Sequence, residues 1–208
     1  MRIHSDSFKH GQRLPVEFAA GQINPDGSAG FARNRNPQLA WDAPAGTRSF
    51  ALLCVDPDVP TVAEMVGKSG VEIPVAQPRG DFSHWVMVDI PADVRELAAG
   101  SCSDGVVPHG KAAPTGPAGA RQGLNDYTGW FATDPAMAGD WQGYDGPFPP
   151  PNDLRLHRYF FRLFALDVAT LELPAAFTAG DVLRAMQGHV LAETATYATY
   201  SLHPGVSG

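Results

Sequence analysis

The sequence predicts a mainly β protein built as one domain, and three observations carry that expectation. Three runs have the length and apolar content of buried strands: Ser-Phe-Ala-Leu-Leu-Cys-Val at 49–55, His-Trp-Val-Met-Val-Asp-Ile at 84–90, and His-Arg-Tyr-Phe-Phe-Arg-Leu-Phe-Ala-Leu at 157–166. Gly 22 and Pro 19 among 208 residues exceed the usual share but stay below that of disordered chains, which points to short elements joined by many loops. Only one stretch, near the C-terminus, has a sustained helical period. A chain of 208 residues that is 44% hydrophobic and 18% charged suits a single core, so one domain is expected over 1–208.

Residues 1–48 read as short extended pieces divided by the turn clusters Asn24-Pro25-Asp26-Gly27 and Asn34-Arg35-Asn36-Pro37. The run at 49–55 is apolar at every position but its first, as in a strand covered on both faces, and it stops at Asp56-Pro57-Asp58-Val59-Pro60. Residues 61–82 are weakly patterned and read as loop. The run at 84–90 ends at Pro91, and 93–99 has the composition of about two helical turns with Gly100 after them. The stretch 101–143 holds many Gly, Pro and Ala. Trp130, Phe131 and Trp141 are expected either to anchor it to the body or to form a self-association surface. After the third strand, a helix is expected over 179–193. Thr178 would cap it, Asp181 would sit in its first turn, and Val182, Leu183, Met186, Val190 and Leu191 would form its apolar stripe.

The net charge of -7, without a Lys/Arg run, argues against a nucleic-acid surface and against general adhesion to anionic membranes. Cys54 and Cys102 are too isolated for a zinc site or a disulfide framework. No apolar segment approaches the length of a membrane span and the first residues lack a signal-peptide core, so no integral membrane segment and a cytoplasmic location are expected.

The chemistry concentrates at strand ends. Asp56 closes one predicted strand, while His84 and His157 open the other two. If the first strand runs antiparallel to its neighbours, the three side chains meet at one end of one sheet. Tyr159 shares a face with His157 two residues away. The loops 56–60 and 146–151, stiffened by proline, would border the group as a preformed rim. Four chemistries fit these residues. Imidazole, phenol and backbone donors suit an oxyanion, with Asp56 orienting a histidine. Two histidines and a carboxylate match a metal triad in type, although no H-x-x-x-H or H-x-D spacing occurs. Hydrolysis would need a nucleophile, and without G-x-S-x-G only Ser83 and Ser103 are on offer. Acid/base chemistry on a bound substrate is the fourth.

The segments Asn36-Pro37-Gln38-Leu39-Ala40-Trp41, Asp56-Pro57-Asp58-Val59-Pro60, His84-Trp85-Val86-Met87-Val88, Tyr144-Asp145-Gly146-Pro147 with Pro149-Pro150, and His157-Arg158-Tyr159 together resemble the phosphatidylethanolamine-binding protein family, which includes Raf kinase inhibitor protein. The stretches 122–127 and 188–192 are similar to its bacterial and archaeal branch. The resemblance implies an antiparallel β-sandwich of a large and a small sheet with a few peripheral helices, including one C-terminal helix. It implies a pocket for a small anionic ligand, such as the phosphate of a phospholipid head group. The family's site maps onto Asp56, Asp58, His84, Gly146, Pro147, Phe148, Pro149, His157 and Tyr159. Phe148 stands where relatives often carry Cys or a small residue, and its ring is expected to narrow the mouth or to alter head-group preference. The resemblance also implies a cis Val59–Pro60 bond and a homodimer. No cofactor and no resident metal are expected. The expected role is ligand binding. A hydrolase using Asp56, His84 and His157, and a regulator of a partner protein, are the alternatives.

Overall fold

The computed structural model describes residues 1–207. In chain order the elements are β1 (Ile3–His4), β2 (Gly21–Ile23), β3 (Ala29–Phe31), β4 (Leu39–Trp41), β5 (Ser49–Pro60), β6 (Arg79–Pro91), β7 (Glu96–Leu97), β8 (Arg121–Gln122), α1 (Tyr127–Trp130), β9 (His157–Leu166), α2 (Ala179–Ala185) and β10 (Val190–Tyr200). Antiparallel pairing builds a five-stranded sheet in the order β10-β9-β5-β6-β8, a three-stranded sheet β1-β4-β7, and the hairpin β2-β3. The three predicted strands are therefore neighbours at the centre of the large sheet, as expected.

Their continuous hydrophobicity has a simple cause in the two-residue period of a strand. Phe50, Leu52 and Cys54 of β5 face the small sheet, joining Leu39 and Trp41 of β4, Trp85 and Met87 of β6 and Phe161 of β9 in the main core. Ala51 and Leu53 face the other way, with Val86, Val88, Phe164 and Leu166, and are covered by Val182 of α2, by Met186 that caps it, and by Leu171 and Phe177. Both faces are thus removed from water over Ser49–Cys54 of β5, Ser83–Ile90 of β6 and Leu163–Leu166 of β9, and Cys54 and Cys102 are both buried free thiols.

Four sequence expectations are corrected. The C-terminal helix ends at Ala185. Beyond Gly188, which has φ 83°, the chain turns back as the edge strand β10 along β9. The predicted stripe splits accordingly: Val182 and Met186 are buried, whereas Leu183, Val190 and Leu191 are exposed. The segment 93–99 is a turn followed by β7, because Leu97 gains a place in the core only by pairing with Leu39. The Val59–Pro60 bond is trans: β5 does not stop at Asp56 but, after a bulge, stays extended through Val59 opposite Gly80 and Pro60 opposite Arg79, so no reversal calls for a cis bond. Correspondingly, β6 begins at Arg79, inside the stretch read as loop, and His84 lies within it.

The long stretch 101–143 covers the free edge of β6. Gln122 pairs with Met87, and the main chain of Gly123 and Asp126 bonds to Val86 and Ser83. Trp141 is buried and Phe131 packs on it, as anchors do, but Trp130 is 47% exposed.

Candidate functional site

At one end of the large sheet, Asp56 of β5, His84 of β6, and His157 and Tyr159 of β9 line one cavity of about 280 Å³. Adjacency in the sheet produces the convergence, since Val55 lies opposite Ser83 on one side and Phe160 on the other. The remaining walls are apolar: Phe31, Phe82, Tyr127, Trp130, Phe131 and Phe148 supply rings, and Val59, Pro60, Val66 and 149–151 supply aliphatic surface. Polar atoms are thereby confined to one end of an otherwise greasy chamber, the usual layout of a small-molecule site.

The two imidazoles at that end live in different surroundings. His157 Nδ1 bonds Asp56 Oδ2 at 2.6 Å and its Nε2 bonds Asp153 Oδ2 at 3.1 Å. Burial alone would lower its pKa, but the two carboxylates prevail and raise it to about 9, so His157 is an imidazolium with both N–H groups already engaged. Asp153 is held in turn by Arg79 at 2.5 Å and, despite burial, its carboxyl titrates at about 2. His84 Nδ1 instead meets the main-chain oxygen of Asp145 at 2.7 Å. A carbonyl only accepts, so Nδ1 carries the proton and the neutral ring presents a lone pair at Nε2. Burial outweighs the pull of Asp56 and the carbonyl and lowers the His84 pKa. Tyr159, whose ring stands edge-on to His84 at 5.1 Å, is a phenol pushed well above its ordinary pKa by burial and by the neighbouring Asp56 carboxylate.

Three residues of the expected set frame the cavity without lining it. Asp58 is fully buried behind Asp56, whose Oδ1 accepts from the Asp58 amide at 2.8 Å. Its carboxylate is gripped by Arg155 Nε at 2.6 Å and Arg158 Nε at 2.8 Å, and these guanidiniums overcome burial to hold its pKa below the usual value. Gly146 and Pro147 belong to the loop's attachment. The Pro147 oxygen accepts from the amides of Ala20 and Gly21, and a Cβ on Gly146 would lie 2.3 Å from the Phe18 oxygen, so no larger residue fits. Phe148 and Pro149 do face the cavity. The Phe148 ring lies over Gly21, where a Cβ would approach it to 2.2 Å, and stands edge-on to Phe31 at 5.8 Å.

Sequence reasoning missed the residues that hold this end together. Asp145 is buried and accepts from Asn34 Nδ2 at 2.7 Å, Asn125 Nδ2 at 2.8 Å and Lys111 Nζ at 2.5 Å. Burial nevertheless leaves its pKa raised. Asn34 also accepts from the Gly146 amide at 2.8 Å, which pins the loop at two points. Asn152 ties the loop to the opposite wall through the oxygens of Met65 and Val71 and the Gly67 amide. Asp145, Asn152 and Asp153 flank the proline-rich loop 146–151, and Asn34 lies in a cluster read only as a turn. Their function depends on partners far away in sequence. Ser83 and Ser103 are absent from the cavity walls, which hold no Ser, Cys, Lys or Arg. Among the described residues no group of His, Cys, Asp and Glu is arranged to hold a metal ion, and no helix is long and apolar enough to cross a membrane.

The profile of the phosphatidylethanolamine-binding protein family matches residues 4–201. Similar sequences include UPF0098 proteins of Aquifex aeolicus, 33% identical over 93% of this chain and 84% of the relative, and of Methanothermobacter thermautotrophicus, 32% identical over 96% and 98%. The UPF0098 protein YbhB of Escherichia coli is 30% identical over 97% of this chain and all of its own length. Among solved structures, Escherichia coli YbcL, described as a new member of the mammalian PEBP family, superposes with a TM-score of 0.67 at 25% identity, covering 96% of this chain and 97% of YbcL. A phosphatidylethanolamine-binding protein homologue from Chlamydia trachomatis gives a TM-score of 0.62 at 26% identity over 96% of each chain.

Proposed function

The chain belongs to the phosphatidylethanolamine-binding protein family, in the company of its bacterial and archaeal members, and we propose that it is a binding protein for a small amphipathic acid, with a phosphate or carboxylate head. The head group lies against His84, Tyr159 and Asp56, and the rest of the ligand lies along the aromatic and proline walls. The observation that carries this reading is the segregation of the cavity, with its polar atoms gathered at one end and rings elsewhere. A phospholipid head group is one such ligand. In this reading His157 and Asp58 shape the floor from behind, and His84 is the residue that meets the head group. The absence of a serine or cysteine from the walls favours binding over nucleophilic hydrolysis. The protein is taken to act in the cytoplasm and as a homodimer, and light scattering at micromolar concentration tests the second point, a monomer overturning it.

Calorimetry with phosphoethanolamine tests the core of the reading. His84→Ala is expected to weaken binding by about 1.5–3 kcal/mol, the worth of one hydrogen bond to a charged group. Affinity should fall as pH rises, because an anion favours the protonated ring and that form is lost in base. Wild-type and variant proteins of equal affinity, or of none, would overturn the assignment.

A further inference from the structure

Resting on the reading above, we propose that the cavity takes its acidic ligand together with one proton, shared between a ligand oxygen and His84 Nε2, and therefore prefers phosphomonoesters to phosphodiesters. The geometry leaves the polar end short of donors. His84 Nδ1–H is committed to the Asp145 oxygen, and among the described residues Nε2 has no protein partner. Both N–H groups of His157 are committed to Asp56 and Asp153. The Tyr159 phenol remains as a neutral donor, and no Lys or Arg lines the cavity. A fully ionised head group entering this end would meet one neutral phenol O–H beside a lone pair and a carboxylate.

The groups around His84 come from every side. Asp56 on β5, and Asp126 and the Asp145 carbonyl from the long loops, favour charge on the ring. His157 on β9 opposes it, as does burial among Phe82, Tyr127 and Tyr159. The free ring is neutral and becomes a partner for an oxyanion only when a proton arrives.

A phosphomonoester can bring that proton, since its second ionisation lies near pH ~6 and a fraction of it still carries P–O–H at neutrality. The monoanion ROPO₃H⁻ donates its O–H to Nε2. If the proton crosses, the result is ROPO₃²⁻ against an imidazolium, with the same atoms and the same total charge. A diester has no O–H to give at neutral pH, so its proton must come from solvent onto a ring whose burial resists it.

The experiment compares phosphoethanolamine with glycerophosphoethanolamine, which differ at one phosphate oxygen and share the ammonium end, and includes inorganic phosphate to separate the head from the organic part. Titration calorimetry in two buffers of different ionisation heat reads the protons taken up. Expected at pH 8 is uptake of about one proton with the monoester and with inorganic phosphate, and an affinity that falls about tenfold per pH unit above the ligand's second pKa. The diester should bind about tenfold or more weakly than the monoester at pH 7. His84→Gln, which cannot titrate, should abolish both the uptake and the preference. The wild-type proton count decides alone if that variant does not fold. Equal affinity for the two esters, or a monoester preference without proton uptake, overturns this inference while the proposed function stands. Failure of all three ligands to bind overturns both.

Discussion

His84 and His157 border the same cavity and carry the same side chain, yet they are opposites. One is clasped by two carboxylates and is charged; the other leans on a carbonyl and is neutral. Burial presses both rings towards neutrality, and only His157 has carboxylates, one at each nitrogen, to overcome it. A carboxylate stabilises the protonated ring, whereas a carbonyl fixes a tautomer without supplying a counter-charge. One site thus contains a permanent charge that shapes it and a basic nitrogen left free for a visitor. A histidine's presence in a binding pocket does not by itself mean it touches the ligand.

The sharpest way to break this contrast is His157→Ala. It leaves Asp56 and Asp153 buried together without the cation between them, and should cost about 3–5 kcal/mol of stability in urea denaturation. A loss below 1 kcal/mol would mean the pair is not an ion pair at all. Next in size is the pH dependence of folding. His157 titrates at about 9 in the folded protein against 6.5 for the free side chain, so its contribution is complete below 6.5 and fades as pH rises through 9. Wild type should lose about 3 kcal/mol between pH 6 and pH 9.5 beyond any loss seen in His157→Ala. Parallel profiles for the two proteins would dissolve the contrast. Smallest is the effect of His84→Ala on folding, about 1–2 kcal/mol, because only a carbonyl is orphaned and water in the cavity can reach it. That variant should keep the wild-type fall in stability between pH 6 and pH 9.5. A flattened profile would move the titrating charge to the wrong ring.

The central sheet was legible in sequence because a strand covered on both faces must be apolar at nearly every position, as 49–55 is. The edge strand β10 was not. Its Val190 and Leu191 lie in phase with the buried Val182 of α2 and Met186 just beyond it, so a helical period continued on paper past Ala185, where the helix ends in space. Asp56, His84, His157 and Tyr159 could be placed together because strand ends and strand periods locate them. Asp145 and Asp153 could not be, since what gives each its role is pairing with polar residues distant in sequence: Asn34 and Lys111 for one, Arg79 for the other. Such pairings leave no periodic trace.

The close fit of the Phe148 ring over Gly21 makes the order of changes at the two positions matter. Two positions more than a hundred residues apart share one volume: with the ring in place, any side chain at 21 collides with it, and without the ring that space opens. A descendant sequence can therefore change 148 to something small and later acquire a residue at 21, but the reverse sequence of steps passes through an overpacked intermediate. The cavity wall at 148 and the β2–β3 hairpin are in that sense inherited as a pair, and a redesign that alters one position has already decided what the other is free to become.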